Sequence, residues 1–205
     1  MSEYLTIDGD ARSEYEIKRS LFIATAKGIT DYADGAAFVK TVSKKYSDAT
    51  HNCYAILCQN GEQKFFDDGE PSGTAGMPIL QAIKNNGLTD VAVVVTRYFG
   101  GIKLGAGGLV SAYTKAAVNA LAESKTVTKI ESGVYLITLS YSEVDRAARL
   151  VENVSGKVLD VRYGEQVCLK AAVPIDSTKS FIDGANELFS GKCVPLLVET
   201  GYETY

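Results

Sequence analysis

The chain has 205 residues, of which 46% are apolar and 22% charged, and its formal net charge is −4. That length suits one large domain or two small ones, and the apolar fraction excludes a disordered chain. The acidic balance excludes a general polyanion binder, and no apolar run approaches the length of a membrane span or an export signal. A cytoplasmic location without membrane contact is therefore expected. Cys53, Cys58, Cys168 and Cys193 show no CxxC spacing, so reduced core thiols are expected.

In chain order, residues 15–27 read as one strand carrying Ile17, Phe22 and Ile23. Residues 31–46 read as a helix. Residues 53–59 and 64–67 read as a hairpin around Asn60-Gly61, a dipeptide suited to the left-handed positions of a tight turn. A helix is expected over 74–86, with Pro78 in its first turn and Gly87 ending it. Val91-Ala-Val-Val-Val95 reads as a buried strand and 109–122 as a helix, completing the order βαββαβα. Residues 126–132 carry no run that extends this helix, so the expected domains are 1–127 and 128–205. The second domain reads as strand 134–141, helix 143–153, strands 157–163 and 166–173, helix 177–189 and strand 195–199. That order, βαββαβ, is ferredoxin-like. The expected class is α+β, with two α/β sandwich domains.

Residues 97–108, RYFGGIKLGAGG, join the buried strand to the last helix of the first domain with five glycines, two cations and no acid. Glycines let backbone N–H groups approach a ligand closely, and a helix start leaves such donors unpaired at the positive end of its dipole. An anion site is expected there, built from Arg97, Gly100, Gly101, Lys103, Gly105, Gly107 and Gly108, with Lys115 further along. No acid occurs between Asp90 and Glu123, so this is a basic patch on an acidic body. The stretch fits neither the Walker A loop nor the dinucleotide fingerprint.

Three carboxylates fall within residues 67–70, in DDGEPSGT. They can hold Mg²⁺ or accept from a base amine. In the structural alternative Ser72 or Thr74 caps the next helix while Asp68 and Glu70 complement its positive end. Too few ligands gather for a metal site to be expected, and no cofactor is expected. His51 and Cys53 share a strand face, yet no third group orients them as a nucleophile and its base. Tyr98 and Phe99 beside Arg97 have the composition that grips single-stranded RNA, or they end a strand, Phe99 being the one expected in the core.

ATHNCYA at 49–55, DDGEPSGTAG at 67–76 and VVVTRYFGGIKLGAGGLVSAY at 93–113 resemble the YigZ/Impact family over residues 15–123. The resemblance implies that the first domain folds like the second domain of a small-subunit ribosomal protein, a fold shared with the GHMP kinases. The second domain is similar to a C-terminal domain of elongation factor G. For bacterial members the family implies binding to nucleic acid or translation machinery without an established reaction. It implies a binding face of Asp68, Glu70, Ser72, Thr74, Arg97, Gly100, Gly101, Lys103, Gly105 and Gly107.

A non-enzymatic regulator that binds RNA, the ribosome or a translation factor is thus expected, with His51 and Tyr98 as further contacts. Three cations give a log–log salt slope of only about −2 to −3 and weak non-specific affinity near ~10⁻⁴ M, so shape must contribute. The alternative is an enzyme or sensor for a nucleotide or phosphate. In that reading residues 101–112, with Ser111 and Lys115, form a GHMP-like phosphate loop. A third reading makes both domains scaffolds for a protein partner.

Overall fold

The computed structural model describes residues 3–205 and divides into one unit of residues 4–127 and another of residues 128–205 with Glu3. The first unit contains β1 (Glu3–Asp8), β2 (Asp10–Ile17), β3 (Ser20–Gly28), α1 (Tyr32–Lys45), β4 (His51–Leu57) and β5 (Gln63–Phe66). It continues with α2 (Gly76–Asn85), β6 (Val91–Tyr98) and α3 (Ala106–Ala122). Its main sheet has the order β2-β3-β6-β4-β5, and every neighbouring pair is antiparallel.

The apolar run of β6 is explained by burial on both faces. Val91, Val93 and Val95 pack with Ile79 and Ile83 of α2 and Tyr113 of α3. Ala92 and Val94 pack with Phe38, Val39 and Val42 of α1 on the other side. A strand covered twice has no polar face to show. The Asn60-Gly61 hairpin forms as expected, with Leu57 opposite Gln63.

The strand expected over 15–27 is instead two strands, β2 and β3, paired through a turn at Lys18-Arg19. Both residues have positive φ, 47° and 64°. A tight hairpin needs that conformation, yet neither residue advertises it as glycine or asparagine would. The observed order is therefore βββαββαβα.

The second unit continues β7 (Lys125–Leu139) with α4 (Val144–Asn153), β8 (Lys157–Tyr163), β9 (Val167–Pro174), α5 (Thr178–Leu188) and β10 (Leu196–Thr204). Its strands lie in the antiparallel order β10-β7-β9-β8, the ferredoxin-like arrangement. Tyr135, Ile137 and Leu139 alternate inward with Leu169 and Ala171, against Val151 of α4 and Phe181 of α5. β7 starts at Lys125, nine residues before the strand expected from 134, and β10 runs to Thr204 rather than ending at 199. The two added lengths pair with each other, from Gly133↔Thr200 to Lys129↔Thr204. Both are largely exposed or half-buried, so no apolar alternation marks them. Tyr141, expected in the strand, lies in a single helical turn after Ser140, whose side chain and N–H are both engaged with Glu143.

Candidate anion-binding site

Asp67, at the end of β5, turns back to the start of α2. Its Oδ1 accepts from the N–H groups of Ala75 (3.0 Å) and Gly76 (2.8 Å), and its Oδ2 from Gly73 (2.8 Å). Burial alone would raise its pKa, but these three donors outweigh it and hold the carboxyl below the usual range. The helix is thus capped by Asp67, not by Ser72 or Thr74. Ser72 is exposed, while Thr74 is buried and its hydroxyl donates to Pro71 O at 2.6 Å. Asp68 is also engaged: its Oδ2 accepts from Asn52 N at 2.7 Å, and its carbonyl lies 2.7 Å from His51 Nδ1. The acids of this segment therefore do not converge on one ligand.

Glu70 and Arg97 form a buried ion pair, with Nη1 donating to Oε1 at 2.6 Å and only 8% and 5% of the residues exposed. Tyr113 donates its hydroxyl to the same Oε1 at 2.7 Å, and Arg97 Nη2 donates to Ser20 Oγ at 3.3 Å. The guanidinium lies 5.4 Å from the Phe22 ring centre and 5.3 Å from that of Phe99. Arg97 is therefore not the free phosphate-binding cation expected from its place before the glycines. An arginine in an otherwise apolar strand needs a buried acid, and Glu70 supplies it.

His51 and Cys53 do share a face of β4, but not as nucleophile and base. The Cys53 thiol donates to Asp67 O at 3.0 Å, and burial pushes its pKa up to about 12. Such a thiol stays protonated and unreactive near neutral pH. Its neighbour Tyr113 is likewise pushed far up by burial.

The glycines divide into three roles. Gly100 donates its N–H to Ser20 Oγ at 3.2 Å, and a Cβ there would lie 2.1 Å from the Arg19 carbonyl. It packs against the β2–β3 turn and is not a ligand donor. Gly101 and Gly105 have φ of 82° and 75°, the left-handed region that favours glycine. Gly105 is the N-cap of α3, so Gly107 and Gly108 lie in the first helical turn rather than in the loop. No side chain caps this end, and its first turn holds no acid. Lys103 is exposed beside it, whereas Lys115, also exposed, lies more than two turns along the helix.

A cavity of about 410 Å³ opens against this helix end. Thr50 and His51 form one side, Glu70 and Arg97 the buried part, and Leu104, Gly105 and Leu109 the helix side. Phe99 and Lys103 also line it. Phe99, expected in the core, is 46% exposed, whereas Tyr98 does not reach the cavity and donates its hydroxyl to Asp48 Oδ1 at 3.0 Å. Alternation along β6 accounts for Tyr98, since Arg97 takes the α2–α3 face and Tyr98 the opposite one. The structure thus brings His51, Glu70, Arg97, Lys103 and Gly105 to the cavity, and leaves Asp68, Ser72, Thr74, Tyr98, Gly100, Gly101, Gly107, Gly108 and Lys115 outside its lining. The sequence does not mark Leu104 and Leu109 as cavity walls, and it favours a core place for Phe99, because nothing local distinguishes an apolar wall from core.

Residues 18–121 match the family model of the Impact N-terminal domain, and residues 137–192 match that of a domain of unknown function, DUF1949. The IMPACT family member YvyE of Bacillus subtilis is 33% identical over 194 residues, covering 94% of this chain and 89% of that protein. The IMPACT family member YigZ of Escherichia coli is 34% identical over 189 residues, covering 90% and 92%. A crystal structure described as that of a hypothetical protein is similar with a TM-score of 0.65 at 31% identity, covering 97% of this chain and 98% of that one. With both domains matched and the likeness running nearly end to end, this chain belongs to the IMPACT family.

Proposed function

We propose that this chain is a non-enzymatic regulator of translation that engages the ribosome or an RNA of the translation machinery through the cavity face at the start of α3. The observation that carries the reading is the uncapped, acid-free helix end, preceded by open left-handed glycines and flanked by exposed Lys103. Free N–H groups at the positive end of a helix dipole favour an anion. The family's expected link to translation makes a phosphate of RNA the natural anion.

Electrostatics alone is weak here. With Arg97 neutralised by Glu70, Lys103 is the cation left at the cavity, which corresponds to a salt slope of about −1. Binding then rests on shape and on stacking against Phe99. The kinase-like reading has less support, because Ser111 and Lys115 do not line the cavity. Asp67 and Asp68 are occupied by backbone N–H groups.

Ribosome co-sedimentation of the full chain at low and physiological salt tests the proposal. A pelleted fraction that falls only mildly with salt is expected. No pelleting at either salt contradicts it.

A further inference from the structure

We infer that the groove between α4 and α5 docks an amphipathic helix of a partner protein, with apolar side chains along one face and carboxylates beside them. The groove belongs to the second unit, and the inference does not rest on the reading above.

Two helical stripes build the groove. Arg146, Arg149, Leu150 and Asn153 stand at i, i+3, i+4 and i+7 along α4, and Gly184, Glu187 and Leu188 at i, i+3 and i+4 along α5. Together they line a cavity of about 520 Å³. Its floor is apolar and half-buried, formed by Leu150 and Leu188. Gly184 keeps that floor open, since a Cβ there would lie 2.7 Å from Leu150 Cδ1.

Charge is sorted between the faces of α4. The helix carries two cations, Arg146 and Arg149, and two acids, Asp145 and Glu152. Both cations line the groove and neither acid does. Arg146 Nη2 donates to Leu188 O at 3.2 Å, which holds its charge at the C-terminal end of α5. Arg149 pairs with no acid among the described residues. Against the single carboxylate of Glu187 the lining therefore keeps a surplus of positive charge, on a chain whose formal net charge is −4. Complementarity selects an acidic partner.

The walls also select the backbone form of that partner. The lining residues lie in helices, whose backbone groups are bonded along their own axes. The groove thus offers no row of free N–H and C=O groups to an extended strand. An occupant lying on the apolar floor has to pair its own backbone groups, and a helix does so. Its apolar face covers Leu150 and Leu188, and its flanking carboxylates meet Arg146 and Arg149.

Titration of the full chain with designed peptides tests this. The probe is an alanine-based helix of about 15 residues with leucines along one face and glutamates flanking them, read by fluorescence anisotropy. A second peptide carries lysine in place of glutamate, and a third alanine in place of leucine. The glutamate peptide is expected to bind about tenfold or more tighter than either of the others. Arg149→Glu, at an exposed position, is expected to reverse the preference between the glutamate and lysine peptides with unchanged melting. Absent binding, equal binding of the three peptides, or a preference unmoved by Arg149→Glu overturns the inference. So does an Arg149-dependent affinity for a short single-stranded RNA in place of the peptide.

Discussion

Arg97 shows how one residue changes meaning between sequence and structure. Beside five glycines it reads as a phosphate contact, yet it is buried against Glu70, Ser20 and two aromatic rings. It pairs with Glu70 and lies against the ring of Phe99, both of which line the cavity. Removing one partner of a buried pair leaves the other charge uncompensated, so Glu70→Ala is expected to cost about 3–5 kcal/mol in urea unfolding at pH 7. Replacing both, as Glu70→Leu with Arg97→Met, is expected to recover much of that loss. A single substitution that costs nothing contradicts the pairing. Gly100 and Gly107 make a second contrast. Gly100→Ala drives a Cβ into the Arg19 backbone at 2.1 Å and is expected to lower the melting temperature by several degrees. Gly107→Ala meets open space in a helix and is expected to be neutral or stabilising by up to about 1 kcal/mol. Cys53, with its thiol raised to about 12, is expected to resist alkylation at pH 7.5 until the chain is unfolded.

At the scale of elements, α2 depends on a cap from Asp67, which sits nine positions before the helix begins. Asp67→Asn is expected to cost about 1–2 kcal/mol at pH 7. The folded carboxyl lies below its ordinary value of 3.8, so its contribution is fully present above that pH and is lost as pH falls through the folded value. The stability gap between wild type and Asp67→Asn, read from urea unfolding, is therefore expected to shrink below about pH 3.8. A gap unchanged at pH 3 contradicts the cap. This cap was not legible, because a local pattern pairs a helix with the residue just before it, and Ser72 and Thr74 both look suited. The doubly covered strand β6, the Asn60-Gly61 hairpin and the helices were legible, since each carries its own period or turn residue. The Lys18-Arg19 turn, the added pairing of β7 with β10 and the Arg97–Glu70 pair were not. The turn lacks the glycine or asparagine that marks such a conformation, and the other two join partners distant in sequence.

Over the whole molecule, an acidic chain carries one stretch of 32 residues without an acid, from Val91 to Ala122. In the structure this stretch supplies the central strand, the glycine turn and the helix whose end opens on the cavity. Of its three cations, Arg97 is internally paired, Lys115 lies away from the cavity and Lys103 stands at it. No helix among the described residues is long and apolar enough to cross a membrane. Under the proposed function the chain engages its partner through one localised face rather than a broad basic one, and recognition is expected to be selective and only mildly salt-dependent. The most direct measurement is ribosome co-sedimentation of Lys103→Glu beside Lys115→Glu, after both are shown to melt like the wild type. Both variants carry the same charge change. Loss of pelleting in Lys103→Glu with retention in Lys115→Glu is the predicted result. Equal loss in both, or retention in both, contradicts a site at the start of α3.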